Sequence, residues 1–300
     1  MALGTGVNMA WRQRIGWLFT AELLFIWGLG SWAVWYGGGE RDALLRSASV
    51  LGGVACLLAW YAMGRRPPTR LADWQGSLQF VACWTNFVLF KAIRLYWIAI
   101  PADDALLALD RWLFGGRSLP EHFFRLEQPW LSETLSAGYF MFYFVVLLPV
   151  LWFTVRRASD EAKDFFAGLS AMYLVGFAGY LRVPAGGPCM AHPEVFPYPV
   201  AGGAMTAFLT QRVAEGITGM DVFPSLHAGI GLYVCGFFAT GRRRHPAYRW
   251  LAAALAPVVA AIILATIYLR YHYGIDLLAG LLLGWGAIHL VRHQRRKEMP

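Results

Sequence analysis

Three ionisable residues interrupt an apolar run late in the sequence. The stretch TIYLRYHYGIDLLAGLLLGW, residues 266–285, carries Arg270, His272 and Asp276. His272 and Asp276 are four apart, so on a helix they share a face, with the carboxylate one turn from the ring. That spacing suits an Asp that fixes the tautomer of a His through one ring nitrogen and leaves the other nitrogen free to react. Taken alone, the stretch fits equally well an interfacial His beside a snorkelling Arg, with the Asp at a helix start.

Two more stretches carry related chemistry. DVFPSLHAG, residues 221–229, puts Pro224 at the first position of a predicted helix, with Ser225 and His227 in its first turn. Free N–H groups and the positive end of the helix dipole there suit an anion such as phosphate. The plainer reading is a capped helix start with an incidental His. GYLRVPAGGP, residues 179–188, offers Arg182, whose planar fork pairs with phosphate. Pro184, Gly186, Gly187 and Pro188 let that backbone approach a ligand closely, although a turn with a snorkelling Arg also accounts for it.

The elements that must position these residues follow from composition. Of 300 residues, 58% are hydrophobic and only 15% charged, which excludes an ordinary soluble domain. A span needs about 20 mainly apolar residues. Eight segments qualify: 15–36, 47–63, 77–100, 134–155, 163–181, 227–240, 250–269 and 273–291. None alternates as a barrel strand does, and lipid leaves backbone polar groups no solvent partner, so the spans are predicted as helices. The predicted fold is all-α, a polytopic transmembrane helical bundle of about eight spans.

Short basic loops stay cytoplasmic. Arg12 and Arg14 precede the first span; Arg65, Arg66 and Arg70 follow the second; Arg156, Arg157 and Lys163 follow the fourth. Arg242, Arg243, Arg244 and Arg249 lie between spans six and seven, and Arg292, Arg295, Arg296 and Lys297 form the tail. The opposite loops hold only Arg41, Arg46, Arg111, Arg117, Arg125 and Arg212. Both termini are therefore expected in the cytoplasm, and the three chemical stretches on the extracytoplasmic side. The net charge of +8 reads as topology and headgroup contact, with no nucleic-acid partner implied. Cys56, Cys83, Cys189 and Cys235 form no disulfide framework or metal-type spacing. The first apolar segment reads as a retained anchor.

The three stretches together resemble the type 2 phosphatidic acid phosphatase superfamily. RVP at Arg182–Pro184, PSLH at Pro224–His227 and HYGID at His272–Asp276 occur in that family's order on one side. Leu226 replaces the usual Gly, Thr266 stands six before His272 where an Arg is usual, and Arg270 lies two before it. FPSLHAG, YLRYHYGIDLLAG and IPADDALLALDRWLFGG (residues 100–116) are more similar to the branch of inositol phosphorylceramide synthases and their bacterial relatives. The resemblance implies a six-helix catalytic core over residues 77–291. Residues 1–76 then add two N-terminal spans and a linker, and 292–300 form a basic cytoplasmic tail.

It also implies a function: a metal-independent lipid phosphatase or phospho-headgroup transferase, with no cofactor, in a bacterial plasma membrane. Its partners are membrane lipids, a phosphorylated lipid donor with a water or alcohol acceptor. His272 is the implied nucleophile, Asp276 its orienting partner and His227 the acid and base. Arg182, Arg270 and Ser225 are the implied phosphate binders, with Arg270 standing in for the family's missing Arg. Lys91 and Arg94, an i, i+3 pair within span three, are expected to hold a second phosphate or headgroup, against a plainer pairing with Asp103, Asp104 or Asn86. The alternative function is a non-catalytic lipid-phosphate binder or transporter on the same scaffold. Asp103, Asp104 and Asp110 fit an amphipathic surface helix with Leu106, Leu107 and Leu113 inward, and are read as structural.

Overall fold

All regular structure is helical in the computed structural model, which describes residues 6–37, 43–64, 69–97, 101–196, 199–216, 218–241 and 245–298. In chain order the helices are α1 (Gly6–Tyr36), α2 (Ala43–Ala62), α3 (Thr69–Ala72), α4 (Gln75–Phe87), α5 (Phe90–Trp97), α6 (Asp103–Leu113) and α7 (Leu119–Phe124). They continue with α8 (Pro129–Val155), α9 (Asp160–Arg182), α10 (Pro188–Ala191), α11 (Ala204–Gly216), α12 (Leu226–Gly241), α13 (Tyr248–Tyr268) and α14 (Gly274–Glu298).

Six of these, α1, α2, α8, α9, α13 and α14, are long and apolar enough to cross a membrane. The bent pair α4–α5 and the shorter apolar α12 fall at the other two expected positions. Span three differs from the continuous helix read from sequence, because α4 and α5 meet at 43°. The chain tightens there through a Leu89 N–H to Asn86 carbonyl bond of 2.9 Å. Asn86 itself is buried and donates to the Leu23 carbonyl and to Cys56 Sγ. Residues 98–100, the end of that predicted span, lie outside the described residues.

The chain divides into two compact units. One comprises residues 1–98, 149–175 and 287–300. In it α1, α2 and α4 pack together around small residues such as Ala55, Ala59 and Ala82. Gln79 donates to the Gly16 carbonyl and Thr20 Oγ1 and accepts from Ser170. Buried Asp164 binds Arg12 and Arg295. Lys91 and Arg94 lie on α5 of this unit, Lys91 exposed and Arg94 half-buried. Neither forms a hydrogen bond with Asn86 among the described residues; the Asn86 amide NH₂ is the group that the two bonds above use.

The other unit comprises residues 99–148 and 176–286. Gly280 and Gly284 of α14 lie so close to α12 that an added Cβ would land on the carbonyls of Ser225 and Gly229. Small residues four apart on both helices permit this backbone approach. The α6 helix departs from expectation on two points. Leu106 and Leu107 are inward, but Leu113 is 40% exposed, while Asp103 and Asp110 share the buried face. Positions 103, 106, 107 and 110 are spaced i, i+3, i+4, i+7, one helical stripe. Both buried carboxylates are satisfied by hydrogen bonds, which is what allows them inside.

Candidate active site

The second unit brings His272, Asp276, Ser225 and His227 together. The α13–α14 turn, residues 269–273, carries His272, and Asp276 falls in the first turn of α14. His272 Nδ1 lies 3.1 Å from Asp276 Oδ2, with the two side chains 3% and 0% exposed. Nε2 is thereby left on the opposite side of the ring, 3.5 Å from Ser225 Oγ. The backbone of the turn is fixed as well, since the N–H groups of Tyr271 and His272 both donate to the Thr266 carbonyl.

Ser225 immediately precedes α12, and its hydroxyl accepts from the Ala228 N–H at 3.4 Å, as an N-cap does. Pro224, expected at the first helical position, instead precedes this cap, in a cis peptide bond with Phe223. The Ser225 N–H donates to the Asp276 carbonyl at 3.0 Å, tying the start of α12 to the start of α14. One residue on, the half-buried His227 ring packs against Tyr139, Phe142 and His272, at centroid distances of 4.8, 4.3 and 5.6 Å. Aromatic walls on two sides hold the ring beside that of His272.

Arg270 is 2% exposed and has φ 66°, the left-handed region that costs a non-glycine residue free energy. Its guanidinium pairs with Glu127 and lies 4.7 Å from the centroid of the Phe124 ring. Glu127 also accepts from the Ala201 N–H at 2.7 Å. Arg182, the last residue of α9, is exposed and forms neither hydrogen bond nor ion pair among the described residues. The structure therefore groups His272, Asp276, Ser225 and His227, gives Arg270 a carboxylate partner, and leaves Arg182 uncommitted. Lys91 and Arg94 belong to the other unit.

The glycine loop and α6 hold the His turn from behind. Gly187, at φ 87°, packs against the Tyr271 carbonyl, where an added Cβ would clash. Asp103 accepts from the N–H groups of Gly186 and Gly187, at 3.0 and 2.9 Å, and from the Tyr273 hydroxyl at 3.0 Å. Burial, reinforced by that carboxylate, keeps the Tyr273 phenol well above its usual pKa. Asp110 accepts from the N–H groups of Leu119 and Ile275. Burial raises its carboxyl pKa, opposed by those backbone bonds.

Sequence reasoning missed several supporting residues: Asp103 and Asp110 as anchors of the segments around the His–Asp pair, Glu127 as the partner of Arg270, and Tyr139 and Phe142 as the walls around His227. The i, i+7 spacing of Asp103 and Asp110 on one stripe was a usable signal, as was the Gly280–Gly284 spacing. No local signal links Glu127 to Arg270, which are 143 residues apart in sequence.

Six helices long and apolar enough to cross a membrane, with a buried His–Asp pair beside a second His, define an integral membrane protein with a clustered His–Asp site. A family model described as PAP2 superfamily matches residues 104–290, and the chain belongs to that superfamily of phosphatases and phosphotransferases. No curated protein and no solved structure matches the chain.

Proposed function

We propose that this protein is a lipid phosphate phosphatase or phospho-headgroup transferase working through a phosphohistidine, on the branch resembling inositol phosphorylceramide synthases. The observation that carries the reading is the 3.1 Å contact of Asp276 with Nδ1 of His272, which leaves Nε2 beside Ser225, with the His227 ring packed against that of His272. A His so oriented presents a lone pair at Nε2 and is stabilised as it becomes an imidazolium.

In the first step Nε2 of His272 attacks phosphorus, and the P–O bond to the leaving lipid alkoxide breaks. His227 delivers the proton to that alkoxide. In the second step neutral His227 takes the proton of an acceptor hydroxyl, whose oxygen attacks phosphorus and releases His272. Water as acceptor makes the enzyme a phosphatase; a lipid or polyol alcohol makes it a transferase. Arg270 and Arg182 neutralise the equatorial oxygens, while Ser225 and the α12 N-terminus donate hydrogen bonds to them. Lys91 and Arg94, in the other unit, are proposed as contacts for an anionic headgroup. The distribution of basic residues supports a topology with both termini in the cytoplasm and the site on the extracytoplasmic face of a bacterial plasma membrane.

The test is a screen of purified protein against lipid phosphates, pyrophosphates and headgroup donors, with mass-spectrometric detection of every product and a His272→Ala control. Release or transfer of phosphate by wild type alone supports the reading. Tight binding of a lipid phosphate with no product from any donor favours the alternative, a non-catalytic binder or transporter.

A further inference from the structure

In the unit built from residues 1–98, 149–175 and 287–300, a cavity of about 190 Å³ opens between the first half of α1, the start of α4 and the first half of α9. Three cations line it, Arg12, Arg157 and Lys163, against one carboxylate, Asp73. It adjoins a shallower depression lined by Arg70, Arg156 and Ser159, with Asp73 and Arg157 common to both. None of these residues belongs to the His–Asp site.

The three cations differ in what already holds them. Arg12 is bound by Asp164 at 2.6 Å and Asp160 at 3.4 Å. Lys163 lies 3.5 Å from Asp73. Arg157 lies over the Trp74 ring, 3.9 Å from its centroid, and donates once, to the Thr154 carbonyl at 3.3 Å. It has no carboxylate within ion-pair distance among the described residues, and a guanidinium carries five donors. Gln75, also in the lining, adds an amide.

The surroundings fix the kind of ligand. Trp152 and Val155, 47% and 79% exposed, continue the apolar surface of α8 up to this rim, and the Arg156 guanidinium lies 4.2 Å from the Trp152 ring centroid. Trp and Arg side chains of this kind mark headgroup depth in a bilayer. A cavity below the few-hundred Å³ typical of whole-ligand pockets, open beside lipid-facing apolar surface, suits the polar head of a lipid whose chains stay outside. Basic pockets at the cytoplasmic ends of transmembrane helices take anionic headgroups in this way.

We infer that this cavity binds the phosphodiester headgroup of an anionic glycerophospholipid from the leaflet at the termini, separately from any substrate of the His–Asp site. Arg157 is the principal anion contact, supported by Lys163 and Arg12, with Gln75 reaching the headgroup hydroxyls and the chains running along Trp152 and Val155. Asp73 opposes the ligand by like charge.

The test is native mass spectrometry of the full chain in detergent, titrated with dioctanoyl phosphatidylglycerol, dioctanoyl phosphatidylcholine or inorganic phosphate. The anionic lipid is expected to bind at least tenfold more tightly than the zwitterionic one, and Arg157→Gln to weaken it about tenfold. Asp73→Asn is expected to tighten it severalfold, a gain that mere destabilisation does not produce and that decides the matter if Arg157→Gln does not fold. Equal binding of the two lipids overturns the inference. So does phosphate binding as strong as that of the anionic lipid, or an affinity that neither variant changes.

Discussion

Asp110 accepts a hydrogen bond from the Ile275 N–H at 2.7 Å, one residue ahead of Asp276. Its other oxygen takes the Leu119 N–H at 2.9 Å, so one fully buried side chain pins both α7 and the first turn of α14. Asp110→Asn preserves size but turns an NH₂ group toward one of the two donors. The expected cost is about 1–3 kcal/mol for the donor left unsatisfied, read as a lower melting temperature in detergent, together with a fall in kcat as the His–Asp geometry loosens. Wild-type stability and kcat in this variant would remove Asp110 from the account.

A neighbouring contact gives stability a pH dependence. Ser118 and Glu121 form a reciprocal cap at the start of α7, and Arg111 binds the Glu121 carboxylate through two bonds of 2.9 and 2.8 Å. The Arg111 hydrogen bonds, aided by the Ser118 N–H, hold the Glu121 pKa down at about 2. A folded-state pKa below the unfolded value of about 4.3 means stability is fully present above that value and is lost as pH falls toward 2. Because Arg111 is 38% exposed, the effect is modest, about 1 kcal/mol. Melting curves of wild type and Glu121→Gln should differ at pH 7 and converge near pH 2; a gap that persists at low pH contradicts the assignment.

The sequence was most legible where one residue type is tied to one job. Apolar runs located all six helices long enough to cross a membrane, though α12 at the sixth expected position is shorter, and the four-residue step from His272 to Asp276 is enough to foresee their contact, because a helix brings i and i+4 together. It was least legible where partners come from distant segments. Arg270 read as a phosphate ligand because the resemblance implies an Arg near His272, yet the fold supplies Glu127 from across the sequence. Asp103 and Asp110 read as surface charges because hydropathy assigns carboxylates outward. Backbone N–H groups of Gly186 and Gly187 bring in Asp103, and those of Leu119 and Ile275 bring in Asp110, and backbone partners leave no mark in side-chain composition. The α4–α5 break was hidden for a similar reason, since no Gly or Pro marks it.

Arg270 allows backbone and side chain to be separated. At φ 66° glycine is unstrained whereas alanine is not. Arg270→Gly is expected to be about 1 kcal/mol more stable than Arg270→Ala, with both equally inactive if the guanidinium serves the phosphate. Full activity in the glycine variant would confine Arg270 to its pairing with Glu127.

Orientation is open to direct labelling. Single cysteines at Arg117 and Ala201, both exposed, in a background lacking Cys56, Cys83, Cys189 and Cys235, should react with an impermeant maleimide on intact cells, and a cysteine at Ser159 only after lysis. Selective labelling at Ser159 on intact cells reverses the topology.

His272 as the nucleophile is the centre of the account, and the phosphoenzyme is its most direct witness. With a radiolabelled donor found in the substrate screen, rapid acid-free quenching and peptide mapping should place an acid-labile phosphoryl group on His272 in wild type. His272→Ala should show neither the label nor turnover. His227→Ala should still take up label from donors whose leaving group needs no proton, since general acid catalysis matters less as the leaving group becomes more acidic. A well-folded His272→Ala protein that turns over at the wild-type rate, or a label carried on any other residue, contradicts the mechanism.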